Sequence, residues 1–304
     1  MEKIMRSFFL SLAKSRRVGN LARKYGLRLG ARRFVAGVEI SSSIEAVKRL
    51  NKQGKMATLD HLGEFISAKE EAEHSAAMCL QTLEAIEAAG ADANLSLKLT
   101  SLGLDLDPVL CERQMEGILA LAGQNRNFVR IDMEDYAHCQ PALDLFYKLR
   151  GSYKNVGIVI QAYLRRSEQD VKQLGSLNSN LRLVKGAYKE PEKVAFPLKS
   201  EVDQSFVQLI HQHLLSGSYT AIATHDRAII EETKRFVQEQ NIPSGQFEFQ
   251  MLYGICEELQ DELVREGYRV RIYVPYGEDW FGYFMRRLAE RPDNVWFVLK
   301  NMWK

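Results

Sequence analysis

Eight short apolar or β-branched runs, separated by stretches several of which have helical periodicity, limit what this chain can fold into. The runs fall at residues 55–59, 94–99, 128–132, 156–161, 181–185, 220–224, 246–250 and 269–274. Helical patterns occupy 68–89, 108–122, 201–215, 229–240 and 257–266. Ala88-Ala89-Gly90 and Leu215-Ser216-Gly217 read as helix ends, and Pro108 suits a first helical turn. Strands alternating with helices pair in parallel through right-handed crossovers. An open doubly wound sheet usually has fewer strands, and its dinucleotide-binding form carries GxGxxG, which is absent here. Eight βα units in about 250 residues fit a closed α/β barrel of the (β/α)8 TIM-like type. The expected division is a basic helical arm over 1–40 and a catalytic barrel over 41–304.

Composition narrows the function classes. No apolar run approaches the ~18 residues of a membrane-spanning helix. Cys79, Cys111, Cys139 and Cys256 are scattered without a CxxC, which points to reduced thiols in a cytoplasmic setting and away from a zinc or disulfide framework. The net charge of +2 conceals an asymmetry. Residues 1–37 carry ten basic side chains against the single acid Glu2, leaving 31 of the 41 basic and 38 of the 39 acidic residues for the rest. A basic arm on an acidic body suits contact with an anionic surface. Nucleic acid is disfavoured, because no recognition motif is present and aromatics do not interleave with the basic residues. Ile4, Met5, Phe8, Phe9 and Leu12 recur at about one helical turn among Lys3, Arg6, Lys14, Arg16 and Arg17. Two readings fit that stripe: a helix lying peripherally on an anionic membrane, or a helix packed on the barrel.

In a (β/α)8 barrel the chemistry sits at the C-terminal ends of the strands. Strands two to eight each offer polar groups there: Lys98, Asp132, Gln161, Arg182 with Lys185, Thr224-His225-Asp226, Glu248 with Gln250, and Arg271 with Tyr273. Lys98 and Asp132 adjoin apolar strand residues, where a charge is costly to bury without a partner. Arg182 reads as functional or as the partner of a neighbouring acid, and His225 as functional or as a hydrogen-bonded rim histidine. After the eighth strand, Tyr283, Arg286, Arg287 and Glu290 fall at i, i+3, i+4 and i+7 and share one helical face. That face is either an exposed set of Arg–Glu pairs or a two-guanidinium clamp for a carboxylate or phosphate. A final helix lying over the barrel mouth favours the clamp. The residues alone thus indicate a barrel enzyme for a small anionic substrate and identify no cofactor.

Several motifs, in order and each on its expected element, go further. They are Leu97-Lys98-Leu99-Thr100, Arg130-Ile131-Asp132-Met133-Glu134, Ile160-Gln161-Ala162-Tyr163, Arg182-Leu183-Val184-Lys185-Gly186-Ala187-Tyr188, Ala223-Thr224-His225, Phe249-Gln250-Met251-Leu252-Tyr253-Gly254 and the Tyr283…Glu290 helix. Over about residues 55–300 the chain resembles the proline dehydrogenase family in its short monofunctional bacterial form. The resemblance implies a distorted (β/α)8 barrel with non-covalent FAD at its rim. It also implies oxidation of L-proline to Δ1-pyrroline-5-carboxylate, with hydride passing to flavin N5 and electrons then going to a quinone.

On the same resemblance, Arg286, Arg287 and Lys98 bind the substrate carboxylate. Leu252, Tyr273 and Tyr283 shape the ring pocket, and Tyr188 and Asp132 line it. Arg182 lies near N5, so that Asp132 and Arg182 are the catalytic pair. Met133, Gln161, Val184, Lys185, Gly186, Ala187, Lys199, Thr224, His225, Gln250 and Glu290 match cofactor-side positions. Glu64 matches a gate residue that pairs with the first clamp arginine. The family often has an aromatic residue after Tyr188, where this chain has Lys189. No aldehyde dehydrogenase portion follows, which implies a separate pyrroline-5-carboxylate dehydrogenase downstream. A close alternative substrate is 4-hydroxyproline, whose hydroxyl the Tyr273 phenol would crowd.

Overall fold

The structure, a computed structural model, describes residues 33–63 and 66–290, with side chains as far as residue 285. Eight parallel strands close on one another in chain order, β1 pairing with β2 and so on until β8 pairs again with β1. They are β1 (Met56–His61), β2 (Ala93–Leu97), β3 (Val129–Ile131), β4 (Val156–Gln161), β5 (Leu181–Val184), β6 (Thr220–Ala223), β7 (Phe247–Leu252) and β8 (Val270–Tyr276). Helix α1 (Ile40–Lys52) precedes β1. The crossovers are α2 (Lys69–Ala89), α3 (Pro108–Gln124), α4 (Tyr136–Ser152), α5 (Ser167–Ser176), α6 (Lys199–Leu215), α7 (Arg227–Glu239) and α8 (Glu257–Arg265), and α9 (Trp280–Glu290) follows β8.

Local signals set many of these ends. Asp107 caps α3 by accepting from the Val109 and Leu110 N–H groups, with Pro108 as the first helical residue. Asp135 and Asp226 cap α4 and α7 in the same manner. Gly90 closes α2 in the left-handed conformation, φ 58°, that a helix C-terminus favours. Periodicity had singled out neither α4 nor α5. The first contains Pro141 inside its first turns and the second is only ten residues long, so each carries a weak helical pattern.

Residues paired across parallel strands share a face, and successive residues alternate faces. One face carries Leu59, Leu95, Leu97, Val129, Ile131, Ile158, Phe249 and Ile272, all buried against the helices. The other points into the barrel and is unusually polar. The register aligns Thr58 with Asn94, Asp60 with Ser96, Ser96 with Arg130, Arg182 with Ala221, Ala221 with Glu248, Gln250 with Arg271, and Tyr273 with Thr58. Arg130 fills the lower interior. Its guanidinium donates to the Ile158 and Asn180 carbonyls at 3.3 and 2.6 Å and lies 4.9 Å from the Phe128 ring centroid. Gly157 makes that possible, since any Cβ there would collide with the Asn180 carbonyl and the Arg130 guanidinium.

Residues 33–39, the end of the expected helical arm, form no α-helix. Phe34 and Val35 bury against Leu62, Ile255, Trp280, Phe281 and Phe284, and the Ala36 N–H donates to the Pro275 carbonyl at 2.9 Å. The irregular backbone is tolerable because its polar groups find partners on the barrel. The rest of the arm, including the stripe from Ile4 to Leu12 and its basic residues, lies outside the described residues.

Candidate active site

Arg182 organises the C-terminal half of the barrel interior. From β5 it reaches Asp132 two strands away and Ser96 three strands away on one side, and Tyr273 three strands away on the other, a span available only through the interior. Its Nε donates to Gln250 Oε1 at 2.6 Å, and its Nη1 to Asp132 Oδ1 at 2.6 Å and Ser96 Oγ at 3.2 Å. The guanidinium carbon lies 5.3 Å from the Tyr273 ring centroid. Its Nη2 is buried with no hydrogen-bond partner among the described residues. A buried, charged donor without an acceptor is costly unless a ligand supplies one.

A second layer lies toward the mouth. The Tyr273 hydroxyl is 2.6 Å from Asp60 Oδ2 and 2.8 Å from Asp132 Oδ2. Lys98 Nζ donates to Asp60 Oδ2 at 3.2 Å. A phenol has one proton to give, so the hydroxyl can donate to only one of the two carboxylates at a time. Burial pushes the Asp60 carboxyl above the usual range, the Asp132 charge adds to the rise, and the Lys98 ammonium opposes it. The Tyr273 phenol is likewise held well above its ordinary value, first by burial and then by the two carboxylates. Asp60 was legible only as part of the segment leading to Glu64. Its position beside a cation on β2 depends on barrel closure.

The remaining expected residues separate into three groups. Around the site, Asp132 and Lys98 stand just past the ends of β3 and β2 and not within them. Buried Met133 follows Asp132, and buried Gln161 donates to the Glu134 carbonyl at 2.7 Å. Burial holds the Glu134 carboxyl above its usual value, against two hydrogen bonds from Thr100. His225 Nε2 accepts from the Leu252 N–H at 2.9 Å, which leaves the ring proton of a neutral imidazole on Nδ1. Thr224 Oγ1 accepts from the Asp226 N–H at 3.0 Å.

Val184, the last residue of β5, and Lys185 are half-buried, and Gly186, Ala187 and Tyr188 are exposed. Lys185 Nζ pairs with Asp203 and Asp226 at 2.6 and 2.8 Å, and Lys199 pairs with the same Asp203. Gly186 has φ +108°, and a Cβ there would strike the Tyr163 ring, so this turn requires glycine. On α9, Tyr283 is buried with Trp280, Phe281, Phe284 and Met285 in a cluster against which Leu252 and Tyr273 pack. The final helix therefore sits at the mouth. The side chains of Arg286, Arg287 and Glu290 on its last turn, and all of Glu64, lie outside what is described.

Sequence reading underrated the interior partners Asp60, Ser96 and Glu248. Glu248 is buried on β7 and accepts from Arg271 Nε at 2.9 Å, Gln250 Nε2 at 2.6 Å and the Tyr219 hydroxyl at 2.8 Å. Burial alone would raise its carboxyl, but the Arg271 charge and these hydrogen bonds outweigh it and hold Glu248 below its usual value. The available signal was polar residues at every second position: Thr58/Asp60, Asn94/Ser96, Glu248/Gln250 and Arg271/Tyr273. Among the described residues no cluster of His, Cys, Asp and Glu is arranged to hold a metal ion.

Comparison with known proteins agrees with this architecture. The sequence profile of the family described as proline dehydrogenase matches residues 43–300. Proline dehydrogenase 1 of Bacillus subtilis subsp. natto is 52% identical over 301 residues, covering 99% of this chain and 100% of the relative. The proline dehydrogenase of Deinococcus radiodurans is 43% identical over 309 residues, covering 100% and 99%. Among solved structures, proline utilization A from Bdellovibrio bacteriovorus, inactivated by N-propargylglycine, superposes with a TM-score of 0.80 at 28% identity. That match covers 86% of this chain and 32% of the longer protein. A closed barrel with paired charges in its interior, matched along nearly the whole chain, places this protein in the proline dehydrogenase family.

Proposed function

We propose that the chain oxidises L-proline to Δ1-pyrroline-5-carboxylate using non-covalently bound FAD, the first step of proline catabolism. The observation that carries this reading is Arg182: a buried cation fixed by Asp132 and Gln250, with Nη2 unpartnered. Such a donor fits a polar edge of an isoalloxazine. The chemistry supplied by bound FAD is two-electron acceptance at N5. Family membership supports the flavin assignment, and the polar residues ringing Arg182 fit it.

The chain's own residues have three tasks. Lys98, with Arg286 and Arg287 from α9, holds the substrate carboxylate through charge-assisted hydrogen bonds. Tyr273, Tyr283 and Leu252 enclose the ring, and the apolar cluster beneath α9 keeps water from the reacting carbon. Arg182 places its positive charge where reduction accumulates negative charge. Glu64 closes the entrance by pairing with Arg286. The amine proton leaves before or with the hydride.

Electrons pass onward to a quinone, with the basic apolar stripe from Lys3 to Arg17 resting on the inner membrane surface. The described residues contain no helix long and apolar enough to cross a membrane. The product goes to a separate pyrroline-5-carboxylate dehydrogenase. The purified protein should be yellow and should bleach anaerobically on addition of L-proline. A colourless protein that still turns over proline, or a yellow one bleached by 4-hydroxyproline and not by proline, overturns the reading. Flotation with anionic vesicles tests the arm, whose deletion over residues 2–17 should abolish binding and leave flavin reduction intact.

A further inference from the structure

Glu248 is not among the groups expected to meet substrate, yet the chain of hydrogen bonds through it ends on Arg182. Its Oε1 accepts from Gln250 Nε2 at 2.6 Å and from Arg271 Nε at 2.9 Å, while its Oε2 accepts from the Tyr219 hydroxyl at 2.8 Å. Gln250 Oε1 in turn accepts from Arg182 Nε at 2.6 Å. The side-chain amide of Gln250 can face either way by a half-turn. An ionised carboxylate only accepts, so Glu248 compels the amide NH2 toward itself and the amide oxygen toward Arg182. With the amide reversed, an NH2 would face the Arg182 Nε–H, donor against donor, in a buried interior.

We propose that Glu248 is a positioning residue for Arg182, acting through Gln250 to fix the direction in which the guanidinium presents its unpartnered Nη2. This rests on the flavin reading of the site given above. The competing role is plain charge compensation, with Glu248 serving only as counter-ion to buried Arg271. Arg271 has a second acceptor in the Ala57 carbonyl at 2.7 Å, and it stands one strand away from the Gln250–Arg182 contact. The two roles call on different features of Glu248. Compensation needs its charge, whereas positioning needs only an acceptor at Oε1.

Glu248→Gln, Glu248→Met and a double variant, all measured as the holoenzyme, separate these roles. Glu248→Gln keeps an oxygen where Gln250 and Arg271 donate, and its new NH2 faces a Tyr219 hydroxyl that can turn to accept. Positioning then predicts kcat within about threefold of wild type and an unchanged flavin midpoint potential, with a lower Tm from the uncompensated Arg271. The double variant Glu248→Met/Arg271→Met removes both charges and leaves the amide without its orienting acceptor. It should recover Tm yet lose about 10- to 100-fold in kcat, with a more negative flavin potential and little change in KM for proline.

Wild-type kcat and potential in the double variant would overturn the proposal and leave Glu248 as a counter-ion. Equal loss of kcat and potential in Glu248→Gln and in Glu248→Met would overturn it as well, since charge would then be what matters. The wild-type enzyme is measured first. If it holds no flavin, the flavin reading fails on that result, before any variant is compared.

Discussion

Arg182 shows how one residue acquires its role from its neighbours. A lone arginine in a strand is ambiguous, and here it does pair with an acid, Asp132, at 2.6 Å. Pairing and function coincide, because the carboxylate and Gln250 occupy Nη1 and Nε and leave Nη2 buried without a hydrogen-bond partner among the described residues. Arg182→Ala should keep the barrel but lose FAD retention, turnover or both, with a more negative flavin potential in whatever holoenzyme remains. A variant with wild-type potential and rate would make Arg182 structural. Tyr273 serves two carboxylates with one hydroxyl. Tyr273→Phe removes the donor and should cost about 1–3 kcal/mol of stability, read from denaturant unfolding. Without that hydroxyl, Asp60 retains Lys98, and Asp132 retains Ser96 and Arg182, as partners.

At the scale of elements, strand alternation decides what the helices and the interior receive. β4 illustrates the constraint: Ile158 and Ile160 pack outward, while Gly157 yields its interior volume to Arg130. Gly157→Ala should destabilise by roughly 1–3 kcal/mol or more, because the obstructing Asn180 carbonyl is backbone and cannot rotate away. Normal stability in that variant would mean the Arg130 layer is loosely packed. Helix α9 owes its position to Trp280, Phe281, Phe284 and Met285, which bind it to Phe34, Val35 and Leu62. Its last turn carries Arg286 and Arg287. Arg286→Ala or Arg287→Ala should raise KM for proline about 10- to 150-fold with little change in thermal stability, a charge-assisted contact being worth about 1.5–3 kcal/mol. An unchanged KM in both would return that face to surface Arg–Glu pairing.

At the scale of the whole molecule, part of the acid sensitivity should come from two histidines the site does not use. His213, fully buried on α6 against Thr220 Oγ1 at 2.8 Å, is held down at about 4, mainly by burial and also by the Arg130 charge. His61 is held at about 4 by burial and by His74. Below pH 6.5 the unfolded chain binds protons that the folded chain refuses. Stability should therefore fall as pH drops from about 6.5 to about 4 and cease to fall further from this source. For His213 a pKa of about 4 against 6.5 corresponds to roughly 3 kcal/mol. His213→Asn keeps a polar group near Thr220 without a titrating ring, and should flatten this part of the pH–stability curve. An unaltered slope between pH 6.5 and 4 would show that His213 is not its source.

The architecture was legible because it depends on local periodicity and on connection rules. Eight runs alternating with helical stretches leave few closed topologies, and Pro108, Gly90 and Gly217 mark helix ends by their own backbone chemistry. The polar residues near the strand ends were legible as candidates for the same reason, since the strand direction alone assigns them to one rim. Their partners were not. That Arg182 meets Ser96, 86 positions earlier, or that Tyr273 lies between Asp60 and Asp132, depends on β8 closing against β1 and on the register of each pair. Register is a long-range quantity: a one-residue slip would turn the interior side chains out toward the helices. The sequence determined which residues were polar and at which end they stood; only the closed barrel decided which of them share a proton, a charge or an amide.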